Sequence, residues 1–211
     1  MNLYLIKMNQ YKNTIRRIVS LLKLPSAFLL LLATVNCTSG DNSDCITTNT
    51  DFSQLYAAAV AQPGHSDTSG FESEIHEYTF TISETKTICS VGYQSQPAIA
   101  DVPYLIKIIN NNTNTVLYSA SHVFSSTNTS YVSITPTVVK AGDSYTIRRT
   151  LLLSNVGNLQ ANLAGRVVTD NGAVETFPKA FGLMTITGSH FYHNGVNNVD
   201  TGIPFIDISY Y

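Results

Sequence analysis

After residue 70 the chain alternates polar and apolar residues in short runs separated by turn signals. Glu77-Tyr-Thr-Phe-Thr-Ile-Ser83 puts Tyr78, Phe80 and Ile82 on one face, the period-two mark of a half-buried strand. Further strands are predicted at Thr87–Tyr93, Tyr104–Ile109, Val116–Val123, Tyr131–Thr135 and Ser144–Leu153, and less regular ones at Leu163–Thr169, Leu183–His190 and Phe205–Tyr210. Asn110-Asn-Asn-Thr-Asn114, Lys140-Ala-Gly-Asp-Ser144 and Asp170-Asn171-Gly172 read as turns, because Asn and Gly tolerate left-handed backbone angles. One helix is predicted, Asp51–Ala61, with Asp51 as its cap and Pro63-Gly64 as its stop. Many short strands with no helical period between them predict an all-β fold, an antiparallel β-sandwich of jelly-roll-like type.

The pattern differs before residue 37. Residues 1–23 are basic and carry no acid, and residues 24–35 are mostly apolar. Such a run has signal-peptide length and falls short of the roughly 20 residues a helix needs to span a bilayer. The predicted organisation is a signal peptide over 1–36, a polar tether over 37–50 and one sandwich domain over 51–211.

Charge follows the same division. All five basic residues of the first 36 precede the apolar run, which leaves seven basic against fourteen acidic residues in 37–211, a net charge of −7. That balance gives no electrostatic footprint for nucleic acid. Charged residues make up 12% of the chain, against a usual value of about 25%; Asn, Ser and Thr supply the polarity instead, as in many secreted β domains. Three cysteines are present, Cys37, Cys45 and Cys89. An odd count in an exported chain asks for a reason.

Cys37 ends the apolar run and is followed by Thr38-Ser39-Gly40-Asp41-Asn42-Ser43-Asp44. This resembles a bacterial lipoprotein signal, in which the cysteine after the apolar core is lipidated, and its polar acidic tether is similar to that of Bacteroidetes surface lipoproteins. Asn36 stands where a small residue usually precedes the lipid cysteine, and ordinary cleavage after Gly40, giving a soluble secreted protein, is the alternative. Lipidation of Cys37 would leave Cys45 and Cys89 as a disulfide pair in an oxidising compartment; two unrelated thiols are the other reading. The segment Pro136-Thr-Val-Val-Lys-Ala-Gly-Asp-Ser-Tyr-Thr-Ile147, with the strand–turn–strand Leu105–Ala120 before it, resembles jelly-roll β-sandwich domains of unknown function in exported bacterial proteins. The resemblance spans residues 75–150 and implies a fold and an extracytoplasmic location but no catalytic residue.

Candidate chemistry is sparse. Glu72, Glu74 and His76 share a face if extended, and with oxygen and imidazole donors they form a candidate metal site for calcium or a transition metal; a solvated strand face is the plainer reading. His65 and Asp67 precede them. His190 and His193 would point to opposite faces of a strand and not converge. Arg148-Arg149 must also face opposite sides, one of them a candidate for an anion. Tyr93, Tyr104, Tyr118, Tyr131 and Tyr192 are candidate sugar platforms or core residues, and Trp is absent. The ligand candidates are thus Tyr93, Tyr104 and Arg148. There is no Gly-x-Ser-x-Gly and no phosphate-binding glycine motif. The expected role is a non-catalytic binding, adhesion or assembly module at the outer membrane or cell surface, without a required cofactor. It is anchored by lipid and directed at a glycan or a surface protein. An envelope hydrolase acting on polysaccharide and a subunit of a surface fibre are the alternatives.

Overall fold

A computed structural model describes residues 44–69, 74–152, 165–171, 173–193 and 195–211. The predicted signal peptide, Cys37 and Glu72 lie outside the described residues. The described residues of the body form one α-helix, α1 (Asp51–Val60), a short 3-10 turn (Pro97–Ile99) and thirteen strands. They are β1 (His65–Ser69), β2 (Ile75–Ile82), β3 (Lys86–Tyr93), β4 (Tyr104–Asn110), β5 (Thr115–His122), β6 (Ser130–Val139), β7 (Ser144–Leu151), β8 (Arg166–Asp170), β9 (Lys179–Phe181), β10 (Met184–His193), β11 (Val196–Val199), β12 (Ile203–Pro204) and β13 (Asp207–Tyr210). All pairings are antiparallel. The main sheet runs β11-β10-β2-β7-β4-β5, with β9 also on β10; β13-β3-β6 and β1-β8-β12 are smaller sheets. The all-β antiparallel sandwich predicted from alternation is therefore the fold.

The alternation in β2 sets the layers. Tyr78, Phe80 and Ile82 are buried and their neighbours half-buried. In β4 the same holds for Tyr104, Ile106 and Ile108. These inner residues share one apolar core with Ile88, Val91 and Tyr93 of β3 and with Ile206 and Ile208 at the C-terminus. The two layers touch directly where the rings of Tyr93 and Tyr104 meet edge to face at 5.0 Å. Burial of these large side chains is the main stabilising term, at roughly 1.5–3 kcal/mol each.

Helix α1 buries Phe52, Leu55, Tyr56 and Ala59, the i, i+3, i+4, i+7 stripe of an amphipathic helix. Phe52 stacks on Tyr78 at 5.2 Å, and Phe205 meets both Phe52 and Tyr56 edge to face. The cap is Thr50, one residue before the predicted Asp51: its hydroxyl accepts the Ser53 N–H at 3.0 Å. Asp51 is used across the fold instead, accepting the Leu183 N–H at 2.8 Å and the Tyr210 hydroxyl. A Cβ on Gly182 would collide with the Asp51 carboxylate, and its φ of +56° suits glycine, so the residue before Leu183 cannot readily carry a side chain.

Cys45 and Cys89 form a disulfide, with Cα atoms 5.9 Å apart. It fixes the segment before α1 to β3. The Ala141-Gly142 turn joins β6 to β7, with Gly142 at φ +79°, and the Tyr145 hydroxyl accepts the Lys140 N–H at 2.7 Å across it. Among the described residues no helix is long and apolar enough to cross a membrane.

Candidate functional site: a polar groove on the outer face of the main sheet

Strand β10 organises the outer face. It pairs with β2 along its length, with β9 at Met184–Ile186 and with β11 at His190–His193. A bulge between Ile186 and Gly188 shifts the register. Beyond it Ser189 and Phe191 are buried while His190 and Tyr192 are half-buried on the opposite face. Bulges of this kind re-aim side chains next to sites.

The register places His190 beside Glu77 of β2 and Glu77 beside Arg148 of β7. The side chains join accordingly. Glu77 takes the His190 Nδ1 on Oε1 at 2.9 Å and the Arg148 Nε–H on Oε2. His190 Nε2 meets the Asn197 Oδ1 of β11. Asp200 closes the end of β11 back onto β10: its backbone N–H donates to the Ser189 carbonyl at 3.0 Å, and its Oδ1 accepts the Ser189 N–H at 2.8 Å. Its φ of +56° is a left-handed conformation that Asp tolerates better than most residues. A groove of about 410 Å³ results, lined by Glu77, Thr79, His190, Asn197, Val199 and Asp200. Glu77 and His190 hold one another and their neighbours as a frame, on which the Asn197 amide N–H groups and the second Asp200 oxygen can donate and accept hydrogen bonds to a ligand rich in hydroxyl groups.

Of the ligand candidates read from the sequence, only Arg148 belongs to this cluster; His190, considered there only as a metal partner of His193, belongs to it as well. Tyr93 and Tyr104 are fully buried. Their rings flank the buried Arg149 guanidinium at 5.4 and 5.3 Å. Of the two readings of these rings, ligand platform or core, the core one holds and the ligand one is corrected: the alternation of β3 and β4 turns both inward. Arg148 and Arg149 do face opposite sides, outward and inward. His76 is also fully buried, edge to face with Phe191 at 4.9 Å, so the solvated-face reading fails for it. A metal ion shared with Glu74 would have to reach that interior. Among the described residues no three His, Cys, Asp or Glu side chains gather as a metal site. His65 and Asp67 lie on β1: His65 Nε2 pairs with Glu175 at 3.1 Å and Asp67 with Arg166 at 2.6 Å. Tyr118 and His122 of β5 are joined at 2.6 Å with near-parallel rings; burial raises the Tyr118 pKa and lowers that of His122.

Glu77, His190, Asn197 and Asp200 were not read as one site in the sequence. The available signal was the alternation that put Glu77 on the polar face of β2. No protein-family model and no curated protein matches the chain.

Proposed function

We propose that this protein is an exported, lipid-anchored binding module of a bacterial cell envelope. It holds a polysaccharide in the groove between β2, β10 and β11 without transforming it. The groove carries the reading: its polar side chains are held by strands and converge on one concavity, the usual form of a small polar-ligand site. Export is supported by the basic N-terminal segment, the apolar run ending at Cys37 and the Cys45–Cys89 disulfide.

A hydrolase has one observation in its favour, since Glu77 and Asp200 both line the groove. A glycosidase needs one carboxyl to give a proton and another to attack or activate water. Both Glu77 oxygens are occupied by Arg148 and His190, and Asp200 commits one oxygen to Ser189. These carboxylates organise the groove rather than present themselves to a glycosidic bond, which favours binding.

The test is a glycan array probed with the purified processed protein, with and without calcium, beside Asn197→Ala and His190→Ala. The expected result is binding of one glycan class that both variants weaken about tenfold or more while their melting temperatures stay near wild type. Hydrolysis of the bound glycan, or binding unchanged in both variants, overturns the proposal.

A further inference from the structure

The row of side chains that crosses the groove continues beyond it. Reading across the main sheet on its outer face, the directly paired residues are Val199, His190, Glu77, Arg148, Lys107 and Ser119. Lys107 therefore lies opposite Arg148. Like charges in direct cross-strand register destabilise a sheet, so this pairing has an energetic cost. Arg148 is neutralised by Glu77. Lys107 has no carboxylate within 4.0 Å among the described residues. It is half-buried, and the exposed Ser119 and half-buried Thr150 stand beside the pair on the same face. The row holds two basic side chains against one carboxylate, on a body whose net charge is −7 over residues 37–211. A basic strip on an acidic surface, continuous with a polar groove, is complementary to a negative group on whatever the groove holds.

We propose that Lys107 and Arg148 form a subsite for the anionic group of an acidic polysaccharide, a carboxylate or a sulfate ester. Its neutral hydroxyl groups lie in the groove, and the inference rests on the groove reading. Adjacent strands are about 4.8 Å apart, so Lys107 lies about 10 Å from Glu77, within reach of a sugar unit neighbouring the one in the groove. The Lys107 ammonium and the outer edge of the Arg148 guanidinium would donate charge-assisted hydrogen bonds to the anion. The Ser119 hydroxyl adds a neutral donor.

The test measures binding of the processed protein to polygalacturonate, dextran sulfate and unmodified dextran at several salt concentrations, for wild type, Lys107→Gln and Asn197→Ala. Wild type is expected to bind one acidic polymer at least about tenfold more tightly than dextran, with affinity falling as salt rises. The polymer preferred identifies a carboxylate or a sulfate as the group. Lys107→Gln is expected to remove that preference with an unchanged melting temperature, and Asn197→Ala to weaken every interaction. An undiminished acidic preference in Lys107→Gln, or equal affinity for dextran, overturns the subsite. If Asn197→Ala still loses binding to a neutral glycan, the groove reading stands without it. Equal binding by wild type and Asn197→Ala overturns the groove.

Discussion

Asp207 is the buried carboxylate on which the N-terminal end of the body converges. Its Oδ1 accepts the Thr50 hydroxyl at 2.7 Å and its Oδ2 the Tyr131 hydroxyl at 2.6 Å. Burial pushes its pKa up to about 6, against the lowering effect of the Tyr131 and Thr50 hydrogen bonds. A carboxyl raised above its unfolded value makes the folded state bind more protons. Its contribution to stability is fully present below about pH 4 and is lost as pH rises through about 6. The loss is on the order of 3 kcal/mol. Melting curves of wild type and Asp207→Asn from pH 4 to 7.5 check this. The stability difference is expected to move in favour of the variant as pH rises, and parallel curves contradict the assignment. Thr50 has two duties, as helix cap and as donor to Asp207. Thr50→Ala is expected to cost about 1–2 kcal/mol by chemical denaturation, and Thr50→Ser much less.

Elements with a strong interior period were legible in the sequence. β2, β4 and β7 lie within two residues of their expected ends because alternate side chains must be buried. The expected strand Tyr131–Thr135 stops short of the end of β6, which carries Pro136, a residue with no N–H to give to a ladder. β6 runs to Val139 because it is the edge of its sheet, where a missing N–H is tolerated. β1, β9 and β11 were not foreseen. They are short, largely polar or exposed, and exist because a longer neighbour pairs with them. The groove was illegible for a related reason: Glu77 and His190 lie 113 residues apart, and a bulge absent from any local pattern aims His190. At this scale α1 should depend on its aromatic stack. Phe52→Ala is expected to cost about 3–5 kcal/mol of unfolding free energy. Replacing Cys45 and Cys89 with Ala opens a link spanning 44 residues and is expected to cost about 4 kcal/mol by the loop-entropy estimate. An unchanged denaturation midpoint in either variant would contradict these roles.

For the whole molecule the proposed function needs three things: an export signal, a secured body and a rigid face for the ligand. The disulfide and the Thr50–Asp207 contact secure the chain entering α1 to the strands of the sandwich. The opposite faces of β2 and β10 divide the work: Tyr78, Phe80 and Phe191 build the interior, while Glu77 and His190 form the groove. Recognition on a rigid sheet needs little ordering on binding, which favours affinity at a small entropic cost. The central claim is that the β2–β10–β11 groove holds the ligand. The most direct measurement is the binding isotherm of Asn197→Ala beside wild type for whichever glycan wild type binds, at matched thermal stability. The account predicts an affinity loss of about tenfold or more, the order expected when one well-placed hydrogen-bonding side chain is removed. An isotherm superimposable on wild type would place the binding surface elsewhere and contradict it.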